Sequence, residues 1–438
     1  MEQETLKNVI RDQRSEVERK LRSENIITRE GEGYAKRFIA HPNILAVLGV
    51  RRCGKSIFSL LLSRGFKNFS YVNFDDERLL GAGTKDLNGV LQASYELYGD
   101  IDAIILDEVQ NIPGWEMFAS RIRATKKVII TGSNSKLLSG DLATHLTGRH
   151  VDFVLHPFSF REVVGFRPDI HLTEDVARAR KALDDYISGS GFPEFIMFGP
   201  EIVVRIYEDI INKDCLRRHR IRNERTFREL AAYLISNYAG EFTYSKLSRI
   251  FGIKDVHTAK NYVSYLEEAF VLAVLDRFSP KLKQQVIAPK KAYAIDHGFC
   301  NFISFRLSKN RGKLFENIVC VDLLRRKSAS PGMEVYYWKD HMGCEVDFVV
   351  KEGYKVTQLV QVCYDIDDPD VREREMNSLL KAGREMKCRN LMVITDSRDA
   401  EEVIKGRKVR FKPLWKWLLE PLQQSRAPSP GIQSASQR

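Results

Sequence analysis

Five apolar residues, Ile44-Leu45-Ala46-Val47-Leu48, lead without a break into Gly49-Val50-Arg51-Arg52-Cys53-Gly54-Lys55-Ser56. No other stretch narrows the choice of fold as much. The spacing is G-x-x-x-x-G-K-[S/T], in which the backbone N–H groups of a glycine-containing turn cradle phosphates. Gly49 opens the turn and Gly54 lets the main chain approach a phosphate, while Lys55 reaches the β- and γ-oxygens and the Ser56 hydroxyl ligates Mg²⁺. The residues from 56 onward read as a helix whose N-terminus faces the anion. A chance strand-to-helix turn carrying Lys-Ser is the plainer reading, and the apolar strand in front argues against it.

Residues 101–110 supply a second part. An apolar run through Ala103, Ile104, Ile105 and Leu106 ends in two acids, as an inner strand of a parallel sheet does at its C-terminal end. Asp107 is expected to hold Mg²⁺ and Glu108 to polarise the attacking water. Further strands are expected at 70–74, 127–131 and 151–155, with helices between the first four strands. That alternation predicts an α/β fold with a parallel sheet.

The strand at 127–131 runs into Gly132, Ser133 and Asn134. Either polar side chain there could reach a γ-phosphate or the attacking water, and either could equally cap a helix. Arg149, just before the strand at 151–155, could complete a phosphate site in cis or in a neighbouring copy; as a bare charge it reads as a surface arginine.

Composition sets the limits. The 438 residues are 43% hydrophobic and 29% charged, as in an ordinary globular protein, and no apolar run approaches the ~20 residues that span a bilayer. The N-terminal segment is an amphipathic acidic-basic helix without the apolar core of a signal peptide. Seven scattered cysteines form no C-x-x-C pair, which argues against structural zinc and a disulfide framework and for a reducing cytoplasm. The net charge of +11 is compatible with nucleic acid, and its basic stretches fall at 217–228 and 281–291.

Taken together, the segments 49–56, Asn73–Leu79, Leu106–Asn111, Thr131–Ser139, Leu146–Val164 and Gly189–Phe195 resemble the prokaryotic AAA-type ATPases that carry a C-terminal domain of unknown function. The resemblance covers about residues 20 to 420. It implies an AAA-like P-loop core that binds ATP with Mg²⁺, a winged-helix segment, and a C-terminal α/β domain of restriction-endonuclease-like fold. It favours Arg149 as an arginine finger and Ser133 or Asn134 as the γ-phosphate sensor, and the Arg51-Arg52 pair recurs in the family. Ser56 stands where threonine is commoner, which keeps the hydroxyl.

The expected organisation is an N-terminal helix and ATPase core over 1–168, a helical connector over 169–225, a winged-helix-like part over 226–300, the C-terminal domain over 301–423 and a disordered Ser/Pro/Gln-rich tail over 424–438. In the third part, a helix from about 256 is expected to present His257, Thr258, Lys260 and Asn261 to DNA, with 281–291 as a lysine-rich wing near phosphates. Packing or protein contact is the competing use. In the C-terminal domain Asp347 and Glu316 are candidate metal-holding acids. The position where a nuclease needs Glu-x-Lys reads Gln361-Val362-Cys363, with Asp365 two residues on as a shifted acid. The expectation is therefore a Mg-ATPase whose C-terminal domain does not cut DNA. An ATP-regulated nuclease, or a nucleotide-gated switch with negligible turnover, are the alternatives. Protein partner and homo-oligomerisation stay open.

Overall fold

Inner strands of a parallel sheet are covered on both faces and so read as continuous apolar runs. In the computed structural model β1 (Ile44–Leu48), β3 (Ala103–Asp107) and β4 (Lys127–Gly132) are inner strands, with β2 (Phe69–Asn73) and the more polar β5 (His150–Val154) at the edges. All pair in parallel, in the order β2-β3-β4-β1-β5. Each lies within one residue of its expected bounds. The structure describes residues 1–22, 26–137, 146, 148–165, 173–305, 310–330 and 332–421, so the expected disordered tail at 424–438 lies outside the described residues.

Helices Lys55–Ser63, Asp86–Tyr98 and Trp115–Ile122 fill the crossovers between successive strands. The N-terminal helix Gln3–Leu21 buries Leu6, Val9, Ile10 and Val17, which recur at helical spacing. Its Gln13 amide completes the end of β2, donating to the Asn73 carbonyl at 3.0 Å and accepting from the Asn73 N–H at 2.9 Å.

Residues 173–217 are helical, ending in a π-helical segment, Ile210–Arg217. Next come helix Glu224–Ser236, β6 (Gly240–Phe242), helices Tyr244–Ile250 and Val256–Glu268, then β7 (Leu272–Leu275) and β8 (Lys290–Ala294). The strands form an antiparallel sheet, β6-β8-β7. Asn223, Thr243 and Asp255 cap the three helices by accepting N–H groups of the first turn, which fixes where each helix starts. The third helix ends before Phe270, whose φ of 54° turns the chain into β7.

The C-terminal part is a mixed sheet of β9 (Met333–Lys339), β10 (Glu345–Glu352), β11 (Lys355–Val362), β12 (Leu391–Thr395), β13 (Ala400–Ile404) and β14 (Arg407–Pro413), in the order β13-β14-β12-β11-β10-β9. Helix Pro369–Glu385 covers a core that includes Val346, Val349, Leu359, Leu379 and Phe411. Helix Arg311–Ala329 has no polar face. Leu314, Phe315, Asn317, Ile318, Val319, Cys320, Val321 and Leu323 are all buried, and most of them belong to one core with residues from Leu6 to Leu418. Its Asn317 side chain pairs with both the N–H and the C=O of Ala294 at 2.9 Å, extending the hydrogen bonding of β8. Among the described residues, no helix is long and apolar enough to cross a membrane.

Candidate functional site

The glycine-containing turn sits at the C-terminal end of β1. Gly49 has φ of 152°, and a Cβ there would fall 2.1 Å from the Leu155 carbonyl oxygen, so only glycine fits. Gly54 (φ 98°) and Arg52 (φ 64°) give the loop its left-handed bends. Val50 and Cys53 are buried beneath it; the Cys53 thiol donates to the Leu155 carbonyl at 3.2 Å, and burial raises its pKa. Cys53 is thus a filler. Arg29 braces the loop from behind, donating to the Cys53 carbonyl and to Glu162 at 2.9 Å each. Glu162 also forms the capping box of helix Phe160–Val164 with Ser159, which accounts for the Ser-Phe-Arg-Glu motif. Nothing in the local sequence around Arg29 signals this role.

Lys55 opens the helix after the loop and is 4% exposed; its ammonium lies 3.4 Å from Glu108 and donates to the Val50 carbonyl at 3.2 Å. Burial works against that charge, but Glu108, Cys53 and Asp107 together outweigh it and hold the lysine pKa above its ordinary value. Glu108 responds in kind. Burial alone would raise its pKa; Lys55 and Arg51 bring it below the ordinary range. Its backbone sits at φ 48°, which turns the side chain off the end of β3 towards Lys55, and Gln110 donates to its second oxygen at 2.5 Å. Asp107 is buried one residue earlier. Tyr71 donates to one of its oxygens at 2.5 Å and Thr131 to the other, and Ser56 also bonds to it. Burial, then Glu108, push the Asp107 pKa up. The loop, Lys55, Ser56, Asp107 and Glu108 therefore converge, although 107 and 108 lie some 50 residues beyond the loop.

Ser133 and Asn134 part company. Ser133 is buried and its hydroxyl donates to Asp214 of the π-helical segment at 3.0 Å. The Asn134 side-chain oxygen accepts from the Lys136 N–H at 2.8 Å, closing a local turn. Arg51 meets the same Asp214 at 2.8 Å, and exposed Arg52 pairs with Glu194 at 2.8 Å and Asp209 at 3.2 Å. Asp214 is therefore a hub that the spacing of its neighbours did not reveal. Arg149 lies elsewhere. Its carbonyl accepts from Ile44 at the start of β1, the opposite end of the sheet from the loop, and its guanidinium donates to Ser120 at 3.0 Å. Action in cis is thereby corrected: five residues of extended strand, roughly 16 Å, separate it from its own loop.

On helix Val256–Glu268, His257, Lys260 and Asn261 are exposed. Of the four lysines expected in a wing, Lys281 and Lys283 are exposed, but Lys290 and Lys291 face acids instead. Lys290 pairs with Asp276, and Lys291 is 3% exposed, its ammonium 2.5 Å from Glu345, 2.8 Å from Glu316 and 3.6 Å from Asp347. Burial opposes that charge, but the three carboxylates outweigh it and raise its pKa well above the ordinary value. Tyr293 donates to Glu316 at 2.7 Å. So a lysine does stand beside Asp347 and Glu316, contributed by β8 rather than by β11. Gln361 donates to Glu375 at 2.6 Å, and burial pushes the Cys363 thiol up to about 12. β11 stops at Val362, so strand alternation does not carry Asp365 to that face; it is exposed.

Residues 41–164 match the model of an AAA domain, and residues 180–310 and 311–417 match two domains of unknown function, DUF8612 and DUF4143. An uncharacterized protein of Methanocaldococcus jannaschii is 32% identical over 403 residues, covering 86% of this chain and 89% of its own. An uncharacterized protein of Haemophilus influenzae is 26% identical over 361 residues, covering 77% and 87%. Among solved structures, a Walker-type ATPase of Pyrococcus abyssi is similar at 14% identity over 64% of this chain and 97% of that one, with a TM-score of 0.42.

Proposed function

The chain belongs to the family of the Methanocaldococcus jannaschii protein, with an AAA domain followed by two domains of unknown function, and on that premise we propose that it binds and hydrolyses ATP with Mg²⁺. One observation carries the reading: Lys55, buried under a glycine-bent loop, faces Glu108 and lies beside Asp107 at the ends of adjacent chain segments. The loop N–H groups and Lys55 bind the phosphates, and Arg51 and Ser133 lie on the side where the γ-phosphate would end. Ser56 and Asp107 fit Mg²⁺, since both are hard oxygen donors and they already touch each other. The ion supplies charge neutralisation on the phosphates. Glu108 orients and polarises the attacking water, and Gln110 holds its carboxylate in place. Arg149 acts on the nucleotide of a second copy.

Nucleotide state is coupled to the middle of the chain through the exit of β4. The Ser135 N–H donates to the Glu268 carbonyl at 2.9 Å and Lys136 bonds the Glu268 carboxylate at 2.6 Å. The helix-strand-helix-helix-strand order over 224–275, followed by the short helix Leu282–Ile287 and β8, supports a winged-helix reading, with His257, Lys260 and Asn261 as DNA-facing candidates. The test is phosphate release by purified protein, with and without duplex and single-stranded DNA, beside Glu108→Gln. That variant should keep ATP affinity and lose about 100-fold or more in turnover. Wild-type turnover in Glu108→Gln would move the catalytic role elsewhere.

A second reading has its own observation. Lys291 beside Glu316 and Asp347 restores the lysine that a restriction-endonuclease-like nuclease requires. Its ammonium, however, occupies the space between the carboxylates, so the first reading is that this domain does not cut DNA. Cleavage of plasmid DNA with Mg²⁺ or Mn²⁺, lost in Asp347→Ala, would reverse that order.

A further inference from the structure

Asp214 is 2% exposed and lies in the π-helical segment, 158 positions past the end of the phosphate loop. Its Oδ2 accepts from Arg51 Nε at 2.8 Å. Its Oδ1 accepts from Ser133 at 3.0 Å and from Arg51 Nη2 at 3.3 Å, and lies 3.2 Å from Arg218 Nη2. One buried carboxylate thus serves two guanidiniums and a hydroxyl. The second carboxylate near Arg51, Asp75, is half exposed and 3.5 Å away. Arg218 is short of acceptors: its Nη1 is buried and has no hydrogen-bond partner among the described residues.

We propose that Asp214 makes the site discriminate ATP from ADP, holding Arg51 and Arg218 on its carboxylate until a γ-phosphate takes them over. The inference rests on the nucleotide reading above and deepens it. Two residues join the hub to that site, both bound by Asp214: Arg51 belongs to the loop, and Ser133 follows β4, which pairs with both β1 and β3. A γ-phosphate is a second anion arriving at the same donors, and guanidinium matches its oxygens in bidentate fashion. Carboxylate and phosphate repel each other, so the arginines follow the more highly charged group. The unsatisfied Nη1 of Arg218 gains an acceptor by the exchange. ADP, which ends one phosphate short, leaves the arginines on Asp214. Arg51 and Arg218 thereby become γ-phosphate ligands, Ser133 and Asp214 act as positioning residues, and the segment 210–217 is what the exchange sets free.

The experiment is calorimetric titration with ADP and with a non-hydrolysable ATP analogue, on wild type, Asp214→Asn, Arg218→Gln and Lys55→Ala. Removing the competing charge in Asp214→Asn should raise the analogue-to-ADP affinity ratio several-fold. Arg218→Gln should lower it by about tenfold, the weight of a hydrogen bond to a charged group, with ADP affinity within about twofold of wild type. A structural defect would weaken both ligands together and leave the ratio alone. An unchanged ratio in both variants, with Lys55→Ala losing both ligands, overturns the inference and leaves the nucleotide site standing. Wild-type affinities in a folded Lys55→Ala overturn the site itself. Should Asp214→Asn fail to fold, as judged by circular dichroism, the ratio in Arg218→Gln decides.

Discussion

Lys55 and Lys291 are buried to the same degree, 4% and 3% exposed, and both face carboxylates, yet their surroundings differ in kind. Lys55 has one acid at 3.4 Å and a carbonyl at 3.2 Å, leaving its three donors loosely engaged. Lys291 has two carboxylates within 2.8 Å and a third at 3.6 Å, and its donors are used up. A lysine that is to receive a ligand is held in place but left incomplete. One that is finished internally fastens its neighbours together, here β8 to helix Arg311–Ala329 and β10.

The largest effect that sharpens this contrast should come from Lys291→Met. It leaves buried carboxylates uncompensated, so urea denaturation should show a loss of about 3–5 kcal/mol, with ATP affinity within about twofold of wild type. A loss under about 1 kcal/mol would dissolve the contrast. Lys55→Ala should behave in reverse: ATP affinity falls by about 100-fold, the upper range for a hydrogen bond to a charged group, while less than half the stability of the Lys291 variant is lost. Equal destabilisation in the two would mean that both lysines are structural.

Arg149→Ala tests a third cation, engaged by Ser120 among the described residues. Binding of ATP should persist and turnover should drop by about tenfold or more. Turnover of wild type should rise with protein concentration, and mixing Arg149→Ala with Lys55→Ala should recover part of it. Concentration-independent turnover without recovery would leave Arg149 a surface residue. The smallest effect concerns pH. The native pKa of Lys291 lies well above the 10.5 of a free lysine, so above that pH the folded chain keeps a proton the unfolded chain has lost. The stability contributed by the cluster is complete below pH 10.5 and disappears as pH rises through the native pKa. Between pH 10 and 12 the urea midpoint of wild type should therefore fall more steeply than that of Lys291→Met.

The sheet of the AAA domain was legible because its signals are local. β1 and β3 are runs of four or five apolar residues, and the glycine turn and the Asp107-Glu108 pair mark their own positions at the strand ends. The helix start at 256 was legible for a similar reason, with Asp255 standing just before it as a cap. Asp214, Arg218 and Arg29 were not, since an acid or arginine on a helix of mixed charge looks the same whether it faces water or a loop far away in sequence. Lys291 misled outright. Four lysines without an acid between them read as a solvated, phosphate-facing strip, but the alternation of β8 turns the last of them inward, against acids 25 to 56 positions further on. The Arg149 position carried no sign of which end of the sheet it would occupy until β5 was set in register with β1.

Helix Arg311–Ala329 shares one core with residues of the AAA domain, the β6-β8-β7 sheet and the C-terminal sheet. It adds buried polar contacts: Glu316 with Lys291, Asn317 with Ala294 and Arg325 with the Pro157 carbonyl. A chain joined in this way has no cheap place to come apart. Heating should give a single calorimetric endotherm rather than three, with the enthalpy measured directly equal to that inferred from the steepness of the transition. Fragments cut at residue 310 should each expose the apolar side of this seam and aggregate, so the three parts mature as one body.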